Sequence, residues 1–216
     1  MSFVKGGWRR IPIRHHLPML LYDSAVSGNC YKVRLMLAHL GRDYERRELS
    51  VVDRSNRGEV LGGLNPGLRV PTLVFDDGRV LAESNAIIFY LAEGTPYLPE
   101  DPFERAQVLQ WQFFEQYSHE PYIAVLRFWV HVAHMTISPE ELEAKRRGGE
   151  AALVALEGHL ESRSFLVGER YTIADISLYA YTHVADEAGF VLDRFPAIRG
   201  WLERVRQQPG HVPIDA

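Results

Sequence analysis

Apolar positions in the first third of the chain come in short blocks. Met19-Leu20-Leu21-Tyr22 has the length and composition of a strand. Val33, Met36, Leu37 and Leu40 then recur at helical spacing and stop at Gly41, a residue suited to closing a helix in the left-handed conformation. Residues 44–51 give a weaker second strand. Pro71-Thr72-Leu73-Val74-Phe75 and Arg79-Val80-Leu81-Ala82 flank Asp76-Asp77-Gly78, the pattern of a hairpin. Ser84 stands where a cap is expected, ahead of a helix carrying Ala86, Ile87, Ile88, Tyr90 and Leu91. The order β-α-β-(α)-β-β-α is too small for a doubly wound sheet.

The rhythm changes after Gly94, Pro96 and Pro99, and from there the pattern is helical. Asp101-Pro102-Phe103-Glu104 supplies a capping acid, a proline at the first helical position and an acid in the first turn, and Ser138-Pro139-Glu140-Glu141 repeats that signal. Thr172-Ile173-Ala174-Asp175 is a further capping box, and Pro196 opens a last helix that ends before Pro209. Pro121 falls inside an aromatic-rich stretch and predicts a break or kink there. The expected organisation is a basic N-terminal extension at residues 1–18, a small α/β domain at 19–94, a linker at 95–101 and an all-helical domain at 102–216.

Composition narrows the class. With 216 residues, 46% hydrophobic and 24% charged, the chain is not disordered, collagenous or membrane-spanning in character. A net charge of −4 argues against a nucleic-acid surface, which needs clustered basic charge. The single cysteine, Cys30, allows neither an internal disulfide nor a C-x-x-C redox pair and points to a reducing compartment. Residues 1–18 hold Lys5, Arg9, Arg10 and Arg14 and no acid. They lack the apolar stretch of a secretory signal and are expected to be dispensable. His131 and His134 lie three apart with no carboxylate to complete a metal set, so no metal site is expected.

Three segments carry candidate chemistry. Pro71 opens an apolar run, as proline does at the first residue of an edge strand. A cis Val70-Pro71 bond would turn the Val70 N–H and C=O outward to pair with an extended peptide; a trans proline merely starting the strand is the alternative. Ser84 at a helix start offers a hydroxyl and free backbone donors to a carboxylate, while Glu83 suits an ammonium, so the pair is able to hold a free amino-acid head group. Ser27-Gly28-Asn29-Cys30 lies between the first strand and first helix, where a hydroxyl or amide and the helix dipole stabilise an anion. A thiol of pKa about 8.5 is mostly protonated near pH 7, and a two-unit drop requires about 2.7 kcal/mol. One hydrogen bond to the charged sulfur, at about 1.5–3 kcal/mol, supplies most of that. The alternative is that Ser27 or Asn29 only caps the helix, with Cys30 a small buried hydrophobe.

Those segments, in that order, resemble the cytosolic glutathione transferases, from about Met19 to Pro209. The resemblance rests on Asn-Pro-x-x-Arg-Val-Pro-Thr-Leu at residues 65–73, Glu-Ser-Asn-Ala-Ile at 83–87 and Thr-Ile-Ala-Asp at 172–175. It implies an α+β thioredoxin-like N-terminal domain followed by an all-α domain, a homodimer in the cytoplasm, and glutathione as co-substrate without a metal. It further implies a cis Val70-Pro71 bond facing the cysteinyl part of glutathione, with Glu83 and Ser84 on the γ-glutamyl end and Arg69 nearby. Ser27 falls where theta-, delta- and zeta-like enzymes keep a thiolate-stabilising serine. Ser27, Asn29 and Lys32 also resemble the hydroxyl-x-Asn-x-x-Lys of the nu class, which reduces disulfides with glutathione. Ser27 is therefore the first candidate for the thiolate, Asn29 the second and Cys30 the third. Tyr117 and Tyr122 are candidates for the electrophile pocket, with aromatic core packing as their alternative. The expected activity is transfer of the glutathione thiolate to a small apolar electrophile. Glutathione-dependent disulfide reduction and a non-catalytic binding module are the alternatives.

Overall fold

The structure is a computed structural model and describes residues 19–75 and 77–216. The basic segment at residues 1–18 lies outside them. Four strands, β1 (Leu20–Asp23), β2 (Glu45–Glu48), β3 (Thr72–Val74) and β4 (Val80–Ala82), form one sheet in the order β2-β1-β3-β4. β2 runs parallel to β1, whereas β3 pairs antiparallel with both β1 and β4. The helices of this half are α1 (Gly28–His39), α2 (Arg57–Leu61) and α3 (Ser84–Ala92). All four β2 residues, Glu45, Arg46, Arg47 and Glu48, are exposed, as suits an edge strand protected by charge. That explains its weak sequence signal.

The second half holds α4 (Pro102–Phe114), α5 (Ile123–Arg127), α6 (Pro139–Leu160), α7 (Ile173–Thr182) and α8 (Pro196–Arg206). Their starts follow the local chemistry. Asp101 accepts from the Phe103 and Glu104 amides, and both Ser138/Glu141 and Thr172/Asp175 form reciprocal capping boxes. At α3 the expectation of a serine cap is corrected. Ser84 is the first helical residue, Glu83 precedes it at φ 67° and ψ 113°, and neither side chain caps the helix. The Ser84 hydroxyl turns away to another partner, described below. The expected break near Pro121 is a π-helical stretch at Glu115–His119, a turn at residues 120–122, and then α5.

α1 binds the halves together. It packs on α3 within the small half and on α7 of the helical half, so Cys30, Tyr31, Lys32, Val33, Arg34, Leu35, Met36 and Leu37 are all buried. The approach of α7 is close enough that a Cβ on Gly28 would sit 2.5 Å from the Tyr181 ring. One apolar cluster runs from Leu21, Leu73 and Ile87 through α1 to Leu153, Ile176 and Trp201. Beyond α8 the chain returns to the small half, where the Tyr31 hydroxyl donates to the Val212 carbonyl at 2.7 Å and Arg34 donates to that of Ile214. Among the described residues no helix is long and apolar enough to cross a membrane.

Candidate active site

The ends of three strands converge at one edge of the sheet. Tyr22 pairs with Thr72, and Thr72 pairs with Ala82. The β1–α1 turn carrying Ser27, the Val70-Pro71 step and the Glu83-Ser84 step therefore lie side by side, although 56 positions separate Ser27 from Glu83. The Val70-Pro71 bond is cis. Asn65 braces the loop before it, donating from Nδ2 to the Arg69 carbonyl and to Thr72 Oγ1, each at 3.0 Å. Arg69 is exposed and Val70 half-buried.

Ser27 is the N-cap of α1, and its Oγ accepts from the Cys30 amide at 3.3 Å. Accepting leaves the hydroxyl proton for another group, because a serine hydroxyl is one donor with two acceptor sites. The turn is held from both halves: the Ala25 amide donates to Glu48 at 2.9 Å, and Arg127 of α5 donates to the Val26 carbonyl at 2.6 Å. Cys30 is fully buried, and burial, followed by the negative charge of Asp23, pushes its thiol up. A buried, protonated thiol is a poor nucleophile.

Asn29 is tied down at three atoms. Its backbone N–H donates to the Tyr181 hydroxyl at 3.2 Å, its Nδ2 donates to Glu120 Oε1 at 2.9 Å, and its Oδ1 accepts from the Ser84 hydroxyl at 3.0 Å. Beneath this chain lies an ion pair. Lys32 Nζ is 2.8 Å from Glu115 Oε2, both side chains are fully buried, and the same ammonium is 3.4 Å from Ser84 Oγ. Asn85 and Gln116 also donate to Glu115, at 3.0 and 2.8 Å. Burial is the main reason the Glu120 carboxyl is pushed up, with Lys32 opposing it and Glu115 adding to it. His119 is fully buried against Thr182, and burial pushes it down to about 3.

The two tyrosines expected at an electrophile pocket lie in different surroundings. Tyr117 is 84% exposed, whereas Tyr122 is half-buried, with the Lys145 ammonium 5.4 Å from its ring centroid. Among the described residues no group of three His, Cys, Asp or Glu side chains is placed to hold a metal ion. His131 instead faces Glu187 at 3.3 Å. Glu115 and Glu120 are the polar residues that sequence reasoning did not single out. Nothing local marks them, because each takes its meaning from α1 and α3.

An N-terminal fold of this kind, followed by helices and facing a serine turn, a cis-proline step and an open helix start, defines a class. The glutathione S-transferase N-terminal domain model matches residues 26–93, and the C-terminal domain model matches residues 112–209. The chain belongs to the glutathione S-transferase family. It is similar to a crystal structure of a glutathione S-transferase from Pseudomonas fluorescens, with 48% identity and a TM-score of 0.87, covering 91% of this chain and 98% of that one. The disulfide-bond oxidoreductase YfcG of Escherichia coli is 31% identical over 195 residues, 86% of this chain and 89% of that protein. The glutathione transferase URE2P8 of Phanerochaete chrysosporium, solved with oxidized glutathione, is 25% identical with a TM-score of 0.81, covering 91% and 93%.

Proposed function

We propose that the chain is a glutathione transferase that binds glutathione along the shared edge of β1, β3 and β4 and passes its thiolate to small apolar electrophiles. The observation that carries this reading is the start of α3. The first-turn amides there have no intrahelical partners, Ser84 adds a hydroxyl, and the exposed Glu83 stands beside them. That set matches a zwitterionic head group, with the carboxylate on the amides and the ammonium on Glu83. The Val70 backbone then pairs with the cysteinyl unit, and Arg69 lies toward the same ligand. Ser27 donates its free proton to the sulfur, with the α1 dipole adding to the stabilisation. Catalysis is then thiolate stabilisation and proximity, without a covalent enzyme intermediate. The domain limits that fit are residues 19–94 and 102–216, and Tyr117 and Tyr122 border the second-substrate side.

Disulfide reduction with glutathione is the second reading, favoured by the similarity to YfcG and by the Ser27, Asn29, Lys32 spacing. Parallel assays with a chloronitrobenzene acceptor and a small mixed disulfide separate the two. Turnover of the first alone supports conjugation and of the second alone supports reduction; turnover of neither, with glutathione still bound, makes the protein a binding module.

The chain pairs with a second copy of itself in this reading. Phe103 and Phe113 are 71% and 69% exposed on α4. They lie within a quarter-turn of each other, and Tyr117 extends the same outer face. A reducing cytoplasm suits both the co-substrate and the lone cysteine.

A further inference from the structure

The start of α3 contains a contradiction in its hydrogen-bond chemistry. An ionised carboxylate only accepts, so Glu120 Oε1 at 2.9 Å orients the Asn29 amide with Nδ2 toward itself and Oδ1 toward Ser84. The Ser84 hydroxyl therefore spends its one proton on Asn29, at 3.0 Å, and turns a lone pair to Lys32 Nζ at 3.4 Å. A ligand carboxylate arriving at α3 needs that same proton. A protonated Glu120 resolves the conflict. Its hydroxyl donates to Asn29 Oδ1 once the amide turns over, and Nδ2 then donates to Ser84 Oγ. The Ser84 proton is thereby released to the ligand. The step gains one proton from solvent and breaks no covalent bond.

We propose that Glu120 is a positioning residue that governs the Ser84 hydroxyl through Asn29, so that a ligand carboxylate docking at the start of α3 draws a proton onto Glu120. The inference rests on the glutathione reading above. The charge around Glu120 favours the same direction. Lys32 of α1 is the one cation facing the cluster among the described residues, and Glu115 already claims it at 2.8 Å. Gln116 donates to Glu120 Oε2 at 2.6 Å and Tyr181 of α7 is neutral, while Lys145 of α6 is directed to the neighbouring Pro121 carbonyl at 2.7 Å. His119 next in sequence is buried in its neutral form against Thr182. Within this buried cluster a third carboxylate at Ser84 therefore meets no unused positive side chain, and uptake of a proton restores the balance. Burial already pushes the Glu120 carboxyl up, in the same direction as the proposed uptake.

The test uses S-methylglutathione, which keeps the head group and has no thiol to ionise. Its binding is followed by calorimetry from about pH 5.5 to about pH 7.5 in buffers of different ionisation heat. Wild-type protein should take up about 0.5–1 proton per site, and its affinity should rise several-fold, up to about tenfold, for each unit of pH lowered. Glu120→Gln should bind with no uptake and a flat pH profile. Asn29→Ala, which keeps Glu120 but removes the relay, should lose most of the uptake as well, and it decides the matter if Glu120→Gln fails to fold. Wild-type binding without uptake, or uptake unchanged in Asn29→Ala, overturns the linkage while leaving the glutathione reading intact. No binding of S-methylglutathione by the wild type overturns both.

Discussion

Ser27 and Cys30 lie three residues apart and have opposite environments. Ser27 is half-buried at the mouth of α1, while Cys30 is sealed inside with its thiol held protonated. Under the proposed function, Ser27→Ala should raise the apparent pKa of bound glutathione by about one to two units, at about 1.4 kcal/mol per unit, seen as an upward shift of the kcat/KM pH profile. Cys30→Ala should leave that profile in place, and a lost activity there would put a mixed disulfide on the pathway instead. Glu83→Ala belongs to a different part of the ligand. Its proposed contact with the distant ammonium would be the same in ground and transition states, so KM for glutathione should rise while kcat at saturation holds. A collapse of kcat at unchanged KM would remove Glu83 from the head-group site.

At the scale of elements, α1 is the member on which both halves depend, and it brings Lys32 into the interior with it. The Lys32–Glu115 pair ties α1 to the π-helical turn after α4. Lys32→Met leaves Glu115 as an uncompensated buried charge and should cost about 3–5 kcal/mol in urea unfolding. Adding Glu115→Gln to that variant should recover a large part of the loss, because the stranded charge is gone. Equal losses in the single and double variants would show that packing, not charge, set the cost. The Gly28–Tyr181 approach is a second tie of this kind, where any side chain must displace the α7 ring.

On the scale of the whole molecule, two behaviours follow. Sedimentation at micromolar concentration should give a dimer, and Phe113→Lys together with Phe103→Lys should shift it to a monomer, since the exposed α4 face is the proposed contact. A wild-type monomer would end that proposal. Acid should also weaken the fold. Burial pushes His119 down to about 3 and His183 down to about 4, so below about pH 6.5 the unfolded chain binds protons that the folded one refuses. Stability from these two groups is full above pH 6.5 and falls as the pH drops toward 3, by up to about 1.4 kcal/mol per pH unit for each. Burial also pushes the Asp175 carboxyl up to about 6, and its proton uptake acts in the opposite sense. Denaturant midpoints measured from pH 7 to 4 should therefore decline by less than the two histidines alone give, and His119→Gln should flatten the slope.

The signals legible in the sequence were the local ones. Asp101, Ser138 and Thr172 cap helices through amides two or three residues away, and the β3–β4 hairpin closes through a short turn, so their chemistry is complete within one segment. The order of strands and helices follows from those signals and from hydrophobic rhythm. The serine turn, the proline step and the Glu-Ser step were visible as three separate motifs. Only the tertiary structure decided how they meet. Ser84 was expected as a cap, but its hydroxyl found Asn29, 55 positions away, and that contact depends on Glu120, 91 positions from Asn29. Lys32 stands in the sequence only as the last member of the Ser27, Asn29, Lys32 spacing, and its full burial follows from α1 being covered by the sheet half on one side and α7 on the other. A side chain's neighbours along the chain set its backbone conformation. Its charge state, partners and role are set by groups that reach it through space, and no local pattern of residues records those.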